Sequence, residues 1–311
     1  MLYFACFAVN NHTMKYRQLG KTDLRISEVS FGCMSLGKNQ AENTALLRKA
    51  FENGINLFDT ADLYQYGQNE IIVGQALHDV RRDALIATKV GNQWRQDGSG
   101  WDWNPRKSYI LQAVEASLTR LQTDYIDLYQ LHGGTIDDPI DETLEAFDLL
   151  KQQGKIRHYG ISSIRPNIIR EYASRSHIVS VMMQYSLLDR RPEETCFSLL
   201  EDYQIGVFAR GSLAKGLLAG KPAESFLQYS PQEVHAAAEA IHACANAHRS
   251  PGQTALRFVL RHPAITTAVA GIRTMRQLDD CLGVATAPPL TDEEITMLRH
   301  ALPLNMYDAH R

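Results

Sequence analysis

The sequence lacks the patterns that mark membrane proteins and nucleic-acid-binding proteins. None of its apolar runs approaches the roughly 18 residues that a membrane-spanning helix requires. It has no basic run and no RNA-binding aromatic motif, and its formal net charge is -3. The chain therefore has no electrostatic footprint for nucleic acid, and the composition favours a soluble protein that binds neither membrane nor nucleic acid.

Cysteine is scarce and follows no pattern. The chain has five cysteines, an odd number, and no C-x-x-C pair, which disfavours both a disulfide framework and a zinc site. No H-x-H or H-E-x-x-H motif supplies ligands for a catalytic metal, so no metal is predicted. We expect unpaired thiols in a reducing cytoplasm at Cys6, Cys33, Cys196, Cys244 and Cys281.

The chain also lacks a Pro-rich or Ser-rich linker, so residues 14–311 are predicted to form a single domain. Residues 1–13 begin with an apolar stretch, but it is short, lacks a basic n-region and leads into a polar segment without a clean cleavage site. This favours a disordered extension before Met14, with a secretory signal as the alternative.

Short β-like runs alternate with helical patterns along the rest of the chain. A hairpin is predicted from Tyr16 to Val29, and strands are predicted at 29–32, 56–61, 85–90, 125–132, 156–162, 179–185, 205–209 and 266–271. Helical patterns lie at 41–53, 69–79, 106–122, 141–153, 166–175, 193–203, 231–248, 252–262, 274–284 and 291–301. Strand–helix alternation implies parallel crossovers. Eight such units predict an α/β fold, a (β/α)8 TIM barrel with an N-terminal hairpin and one or two extra helices.

An open doubly wound sheet is the alternative fold. It would normally carry a G-x-G-x-x-G turn after an early strand. The only comparable segment, Gly32-Cys33-Met34-Ser35-Leu36-Gly37, has the wrong spacing.

Four titratable side chains stand at or just beyond the ends of three predicted strands: Asp59, Tyr64, Lys89 and His132. Each alone is more often structural: a turn aspartate, a half-buried tyrosine, a lysine at a strand end, a loop histidine. Together the four residues favour a functional site over separate structural roles, because the carboxyl ends of parallel strands meet at one place.

These four residue types suit acid–base chemistry on a carbonyl group. A lysine held by Asp59 stays cationic, and its charge is expected to lower the pKa of Tyr64. Such a tyrosine can donate a proton to a carbonyl oxygen near neutral pH, and a neutral His132 can hydrogen-bond the same oxygen. An electron source is then required.

The segments Phe58-Asp59-Thr60-Ala61 with Tyr64, Thr88-Lys89 and Leu131-His132 resemble the Asp–Tyr–Lys–His tetrad of the aldo-keto reductase superfamily. The similarity runs from Tyr16 onward and is strongest to the bacterial family 11 type, which includes general stress reductases. The resemblance implies reduction of aldehydes or ketones, with NADPH bound extended and without a Rossmann domain.

The resemblance also implies a set of cofactor-binding residues. Ser162, Ser163 and Gln184 correspond to positions that hold the nicotinamide carboxamide, with Ser163 where the family commonly has Asn. Arg210 replaces a stacking aromatic residue, and Arg273 corresponds to the clamp on the adenosine 2′-phosphate. The remaining implied contacts are Gly32, Met34, Gly211, Leu213, Lys215, Gly271, Thr274, Gln277 and Asp280; Cys281 stands where the family often has Asn.

The insertion at 92–105 contains all three tryptophans, Trp94, Trp101 and Trp103. Loops at the top of a barrel carry specificity, so these side chains are predicted to wall an apolar substrate pocket. An aromatic cluster that fixes its own loop is the equal alternative. The chain is short after its last helix, so we expect an open, permissive pocket.

Two other functions stay open at this point. Lys89 on the same fold suits a Schiff-base aldolase, and some relatives in the superfamily are non-catalytic NADPH-binding regulatory subunits. The sequence does not fix the physiological carbonyl compound, the direction of the reaction or the oligomeric state.

Overall fold

The computed structural model describes residues 14–311; the predicted disordered extension at 1–13 lies outside the described residues. The strands are β1 (Tyr16–Gln18), β2 (Arg25–Ser27), β3 (Val29–Gly32), β4 (Leu57–Asp59), β5 (Leu85–Val90), β6 (Asn92–Trp94), β7 (Trp101–Trp103), β8 (Ile126–Leu131), β9 (Ile156–Ser162), β10 (Ser180–Gln184), β11 (Gly206–Arg210) and β12 (Ile265–Gly271). The helices are α1 (Gln40–Glu52), α2 (Gln68–Leu77), α3 (Lys107–Leu121), α4 (Ile140–Gln152), α5 (Pro166–Arg175), α6 (Cys196–Asp202), α7 (Pro231–Cys244), α8 (Pro251–Leu260), α9 (Met275–Gly283) and α10 (Asp292–His300).

The strands β3, β4, β5, β8, β9, β10, β11 and β12 close into a parallel barrel in that order. At least one helix separates each barrel strand from the next along the chain. Two helices are additional to a regular (β/α)8 barrel, because a pair, α7 and α8, lies between β11 and β12 and a second pair, α9 and α10, follows β12. The predicted TIM barrel and its extra helices are confirmed. Every residue of β5 and β8 is buried, as expected for strands covered by helices outside and by core side chains inside.

Several of the later helices begin with a reciprocal capping motif that the sequence encodes. In α7, the Ser230 side chain accepts a hydrogen bond from the backbone N–H of Glu233, whose carboxylate in turn accepts from the Ser230 N–H. The same arrangement starts α8 at Ser250, α9 at Thr274 and α10 at Thr291. Each satisfies N–H groups that would otherwise lack partners at a helix start.

The hairpin of β1 and β2 closes one end of the barrel. Its buried side chains Leu19, Leu24 and Ile26 pack against the inward-facing side chains Leu57, Leu85, Ala87, Leu128, Met182, Phe208 and Val269. This end belongs to the amino-terminal ends of the strands, because the hairpin precedes β3 and Ser27 accepts and donates bonds at Asn56, just before β4. A ligand can therefore enter the barrel only from the carboxyl ends of the strands.

Three observations concern membrane-spanning helices, metal sites and disulfides. Within residues 14–311, no helix is both long enough and apolar enough to cross a bilayer. The same part of the chain contains no group of three or more metal-binding side chains. Cys33, Cys196, Cys244 and Cys281 are buried and unpaired, which confirms the predicted free thiols at these four positions.

Candidate active site

The predicted tetrad lies at the carboxyl ends of three adjacent strands. Asp59 ends β4, which pairs with β5; Lys89 is the next-to-last residue of β5, which pairs with β8; His132 directly follows β8. Tyr64 comes five residues after Asp59, at the start of a single helical turn. The structure thus brings all four residues to one end of the barrel.

Lys89 and Asp59 form a buried ion pair at the base of this site. The Lys89 side chain is 0% exposed, and its Nζ donates to both Asp59 carboxylate oxygens at 2.8 and 2.8 Å and to the Thr60 carbonyl at 2.7 Å. Burial by itself lowers the pKa of Lys89, but attraction to Asp59 and Tyr64 outweighs it and the net pKa is raised. Lys89 is therefore a fixed cation.

The hydroxyl of Tyr64 lies 3.4 Å from Lys89 Nζ. Burial raises the pKa of Tyr64, while the charge of Lys89 acts in the opposite direction, and the net pKa lies above the ordinary value. The predicted lowering of this pKa is wrong as a net effect, because loss of hydration, together with the negative charge of Asp59, outweighs the attraction to Lys89 and Arg210. Tyr64 consequently stays protonated, with the Lys89 ammonium beside its hydroxyl.

His132 completes the tetrad as a neutral group. Its ring meets the Tyr64 ring edge-on, with centroids 5.9 Å apart and an angle of 80° between the planes. Burial, with the charges of Lys89 and Arg210 as further causes, lowers the pKa of His132 to about 3. The backbone holds the residue, since its N–H donates to the Val90 carbonyl at 2.8 Å and the Asn92 side chain donates to its carbonyl at 3.3 Å.

The turn after Tyr64 has an unusual backbone. Gln65 and Tyr66 both adopt left-handed conformations, with φ of 52° and 56°. Such residues are uncommon and need support from their surroundings. Gln65 obtains it by donating to the Leu36 carbonyl at 3.2 Å, and Tyr66 stacks on Trp94 with ring centroids 3.9 Å apart.

The three tryptophans belong to a hairpin formed by β6 and β7, which pair antiparallel. Trp103 ends β7, and its ring lies close to two glycines. A Cβ added to Gly91 would come within 2.6 Å of this ring, and a Cβ added to Gly133 within 3.2 Å. Its Nε1 donates to Asp138 at 2.8 Å. Trp101 is exposed at the surface. Trp103 thus fixes its own loop, and Trp94 stands beside the turn that carries Tyr64. The substrate pocket stays a prediction.

Two predicted contacts for a carboxamide have unused polar groups. Within residues 14–311, neither the Ser162 hydroxyl nor the Gln184 amide has a hydrogen-bond partner, although they end the adjacent strands β9 and β10. Ser163 differs, since its hydroxyl accepts from the Arg165 N–H at 3.2 Å and caps the following segment. Ser162 and Gln184 are thus available to a polar ligand.

Arg210 ends β11 beside Gln184. Its guanidinium makes no hydrogen bond or ion pair with any residue in the described part of the chain, and burial lowers its pKa. Its charge acts on Tyr64, Asp189 and Asp59. A mostly buried cation without a partner is costly, which favours a role toward an incoming group.

The predicted phosphate segment lies at the start of α9. Arg273 is exposed, and its Nε donates to the Ser35 carbonyl at 3.0 Å, so it bridges the ends of β12 and β3. The Gln277 side chain accepts from the N–H groups of Arg273 and Thr274. Asp280 accepts from the Ser250 hydroxyl at 2.5 Å. Gln277 and Asp280 thus order this segment, and the two terminal nitrogens of Arg273 make no hydrogen bond with the described part of the chain.

The other predicted contacts lie around the same rim. Met34 is exposed on the turn after Gly32, and Gly211, Leu213 and Lys215 follow β11, while Gly271 ends β12. Two residues near the tetrad were not singled out from the sequence: Asn92, the first residue of the insertion, which holds the His132 backbone, and Tyr66, which stacks on Trp94. The sequence offered one indication of Tyr66, which is its position two residues after Tyr64.

Comparisons with known proteins identify the family. The model of the Aldo/keto reductase family matches residues 28–303. The chain is 50% identical over 307 residues to the uncharacterized oxidoreductase YqkF of Bacillus subtilis, covering 96% of this chain and 100% of that protein. It is 36% identical over 227 residues to the NADH-specific methylglyoxal reductase of Escherichia coli K12, covering 67% of this chain and 70% of that protein.

A solved structure of an aldo-keto reductase is also similar to this chain. The holo form of the aldo-keto reductase AKR11C1 from Bacillus halodurans superimposes with a TM-score of 0.90 at 49% identity, covering 96% of this chain and 99% of that one. The predicted resemblance to family 11 is confirmed by this neighbour. The family match spans most of the chain and includes all four tetrad residues. The chain belongs to the aldo/keto reductase family of oxidoreductases.

Proposed function

We propose that this protein reduces aldehydes or ketones to alcohols with NADPH, and that Tyr64 is the proton donor. The observation that carries the proposal is the position of the Tyr64 hydroxyl, 3.4 Å from an ammonium group that both oxygens of Asp59 fix in place. The substrate is a small carbonyl compound, and we propose a cytoplasmic location from the unpaired thiols.

The residues present fit a nicotinamide cofactor. The free hydroxyl of Ser162 and the free amide of Gln184 suit a carboxamide, and the unpaired Arg210 faces the same end of the barrel. When bound, such a cofactor supplies the hydride that a carbonyl carbon accepts. The free terminal nitrogens of Arg273 suit the 2′-phosphate that distinguishes NADPH from NADH, because a guanidinium binds phosphate with two parallel bonds.

The residues of the tetrad have different roles in the proposed acid–base catalysis. A carbonyl oxygen between Tyr64 and His132 accepts one hydrogen bond from the phenol and one from the imidazole. Tyr64 enters the reaction protonated because burial raises its pKa, and Lys89 stabilises the phenolate left when its proton is transferred. His132 stays neutral, so it donates a hydrogen bond without competing as an acid.

The geometry argues against a Schiff-base aldolase. A lysine that attacks a carbonyl must lose its charge, whereas Lys89 is fully buried, donates to three acceptors and has a raised pKa. A regulatory subunit would not require a complete tetrad; tight cofactor binding with negligible turnover on a broad panel of carbonyl compounds would select that function.

The Tyr64→Phe variant tests the proposal. We expect NADPH consumption with a reactive aromatic aldehyde to fall by at least about 100-fold, the scale of general acid catalysis, while NADPH still quenches tryptophan fluorescence. The matched control is Tyr203→Phe, since Tyr203 is an exposed tyrosine at the end of α6. Unchanged turnover in Tyr64→Phe would remove Tyr64 from its proposed role.

A further inference from the structure

A second group of buried charges lies behind the tetrad, between the barrel wall and helices α2 and α3. We call it the Asp62–Glu70 cluster. Glu70 is 0% exposed and Asp62 is 7% exposed. The charged or titratable side chains that face Asp62 are Glu70 of α2, Arg120 and Tyr109 of α3, Lys89 of β5 and Tyr129 of β8.

Glu70 has a full set of partners. Its carboxylate accepts from Thr88 Oγ1 at 2.5 Å, from Arg120 Nε at 2.7 Å and from Ser117 Oγ at 3.4 Å. A buried carboxylate is costly unless it is paired and hydrogen-bonded, and Glu70 is both. Arg120 is therefore committed to Glu70.

Asp62 has weaker support, a hydrogen bond from the Leu63 backbone N–H. Its Oδ1 is buried and lacks a hydrogen-bond partner among the described residues, and so does the hydroxyl of Tyr129, which faces the same cluster. Both nearby cations already have a carboxylate, Arg120 with Glu70 and Lys89 with Asp59. Burial, and next the charge of Glu70, raises the pKa of Asp62 to about 8. Asp62 therefore keeps its proton at neutral pH.

Asp62 is coupled to the proton donor through the backbone. It lies between Asp59 and Tyr64, and its N–H points to the Lys89 carbonyl at 3.5 Å, while the Tyr64 N–H donates to the Ala61 carbonyl at 3.1 Å. Ionised Asp62 faces a second buried carboxylate with no free cation. An outward movement of Asp62 would relieve this repulsion, and Tyr64 lies only two residues further along the same turn.

We propose that Asp62 is a positioning residue that carries the one proton of the Asp62–Glu70 cluster, and that loss of this proton displaces the turn bearing Tyr64 and lowers turnover at alkaline pH. The effect on turnover rests on the proposed carbonyl reductase function. The proton itself and the movement of the turn do not, so they can be measured separately.

The first measurement follows the turn by tryptophan fluorescence as a function of pH. Trp94 stacks on Tyr66, two residues after Tyr64, so displacement of the turn changes its emission. We expect a transition near the pKa of Asp62, about 8, in the wild-type protein and none in Asp62→Asn, whose amide has the size of a protonated carboxyl. The matched control is Asp202→Asn, an exposed aspartate at the end of α6, which keeps the transition.

The Glu70→Gln variant tests the proposal independently, because the proposal predicts the direction in which the fluorescence transition moves along the pH scale. Removing the Glu70 charge makes Asp62 easier to ionise, so the fluorescence transition moves to lower pH. A transition that persists unchanged in Asp62→Asn, or that stays in place or moves to higher pH in Glu70→Gln, overturns the proposal.

Stability gives a readout that does not depend on a fluorescent reporter. The pKa of Asp62 is higher in the folded protein than its ordinary value of 3.8, so the folded state holds a proton that the unfolded state releases. The contribution of Asp62 to wild-type stability then falls as pH rises from 3.8 to about 8 and is constant above that. The stability gained by Asp62→Asn over wild type must grow across this interval; a constant difference overturns the proposal that Asp62 carries this proton.

Turnover completes the test. In the wild type, kcat for an aromatic aldehyde falls above about pH 8, and in Asp62→Asn this fall disappears while the neutral-pH rate is kept. If the fluorescence and stability effects are present but the alkaline fall is the same in both proteins, Asp62 does not position Tyr64. If no variant or wild-type protein turns over any carbonyl compound, the proposed function fails, and fluorescence alone decides whether the turn moves.

Discussion

At the residue scale, the site depends on one cation that is buried completely. Lys89 has three acceptors at 2.8 Å or less and no exposed surface. A buried ion pair gains little over an apolar pair of the same size, but removing one partner leaves the other charge without compensation. The ammonium of Lys89 is thus required by the fold as well as by the proposed chemistry.

We therefore predict that Lys89→Met lowers the free energy of unfolding by about 3–5 kcal/mol, the usual cost of breaking a buried pair. Urea unfolding measures this loss. The double variant Asp59→Asn/Lys89→Met should recover part of it, because the stranded carboxylate is gone. Lys21→Met, at an exposed position in the turn of the β1–β2 hairpin, serves as the control, and a loss of equal size there would contradict the explanation.

The positions of the tetrad could be predicted from the sequence, but the pKa of Tyr64 could not. Asp59, Lys89 and His132 each end an apolar run, and parallel strands bring such ends together. The direction of the pKa shift depends on how much water the fold removes from the phenol, and no local pattern of residues reports this. The same limit hid the Asp62–Glu70 cluster, whose members belong to different elements.

At the element scale, sequence reasoning missed the hairpin of β6 and β7. Its strands are three residues long and read Asn-Gln-Trp and Trp-Asp-Trp, too short and too polar to show the alternation that predicts a strand. The barrel strands were predictable because they are buried on both faces. Trp103 anchors the hairpin to the ends of β5 and β8 by its contacts with Gly91 and Gly133.

This anchoring predicts different effects for two tryptophans of the same hairpin. Trp103→Phe removes the hydrogen bond to Asp138 and leaves space above the two glycines. We expect it to lower the free energy of unfolding by about 1–3 kcal/mol. Trp101→Phe, at an exposed position, should change it by less than about 0.5 kcal/mol. Urea unfolding of both variants is the measurement, and equal losses would show that Trp103 does not anchor the hairpin.

At the scale of the whole molecule, closure of the barrel decides where chemistry can occur. The β1–β2 hairpin fills one end with Leu19, Leu24 and Ile26, so polar groups with unused bonding capacity accumulate at the other. Ser162, Gln184, Arg210 and Arg273 all lie there, on β9, β10, β11 and the segment after β12. The site is thus shared between the strands that carry the tetrad and the strands on the opposite side of the barrel.

A ligand that binds across these strands stabilises the whole fold, because it binds the folded protein and not the unfolded chain. At a concentration of about 100 times its Kd, a ligand adds about 2.7 kcal/mol to the free energy of unfolding. We predict that NADPH raises the melting temperature more than NADH does at equal concentration, since Arg273 offers free guanidinium nitrogens to a 2′-phosphate. The relative from Escherichia coli that is named NADH-specific makes this preference a property to measure in each member.

Arg273→Gln should keep the smaller rise in melting temperature that NADH causes and lose the additional rise that NADPH causes. The reason is that the substitution removes the charge facing the phosphate but leaves Ser162 and Gln184 in place for the nicotinamide end. Arg82→Gln, at an exposed position in the segment before β5, should leave the difference between the two cofactors intact. If the wild-type protein melts at the same temperature with either cofactor, Arg273 does not select NADPH, whatever the activity on carbonyl compounds turns out to be.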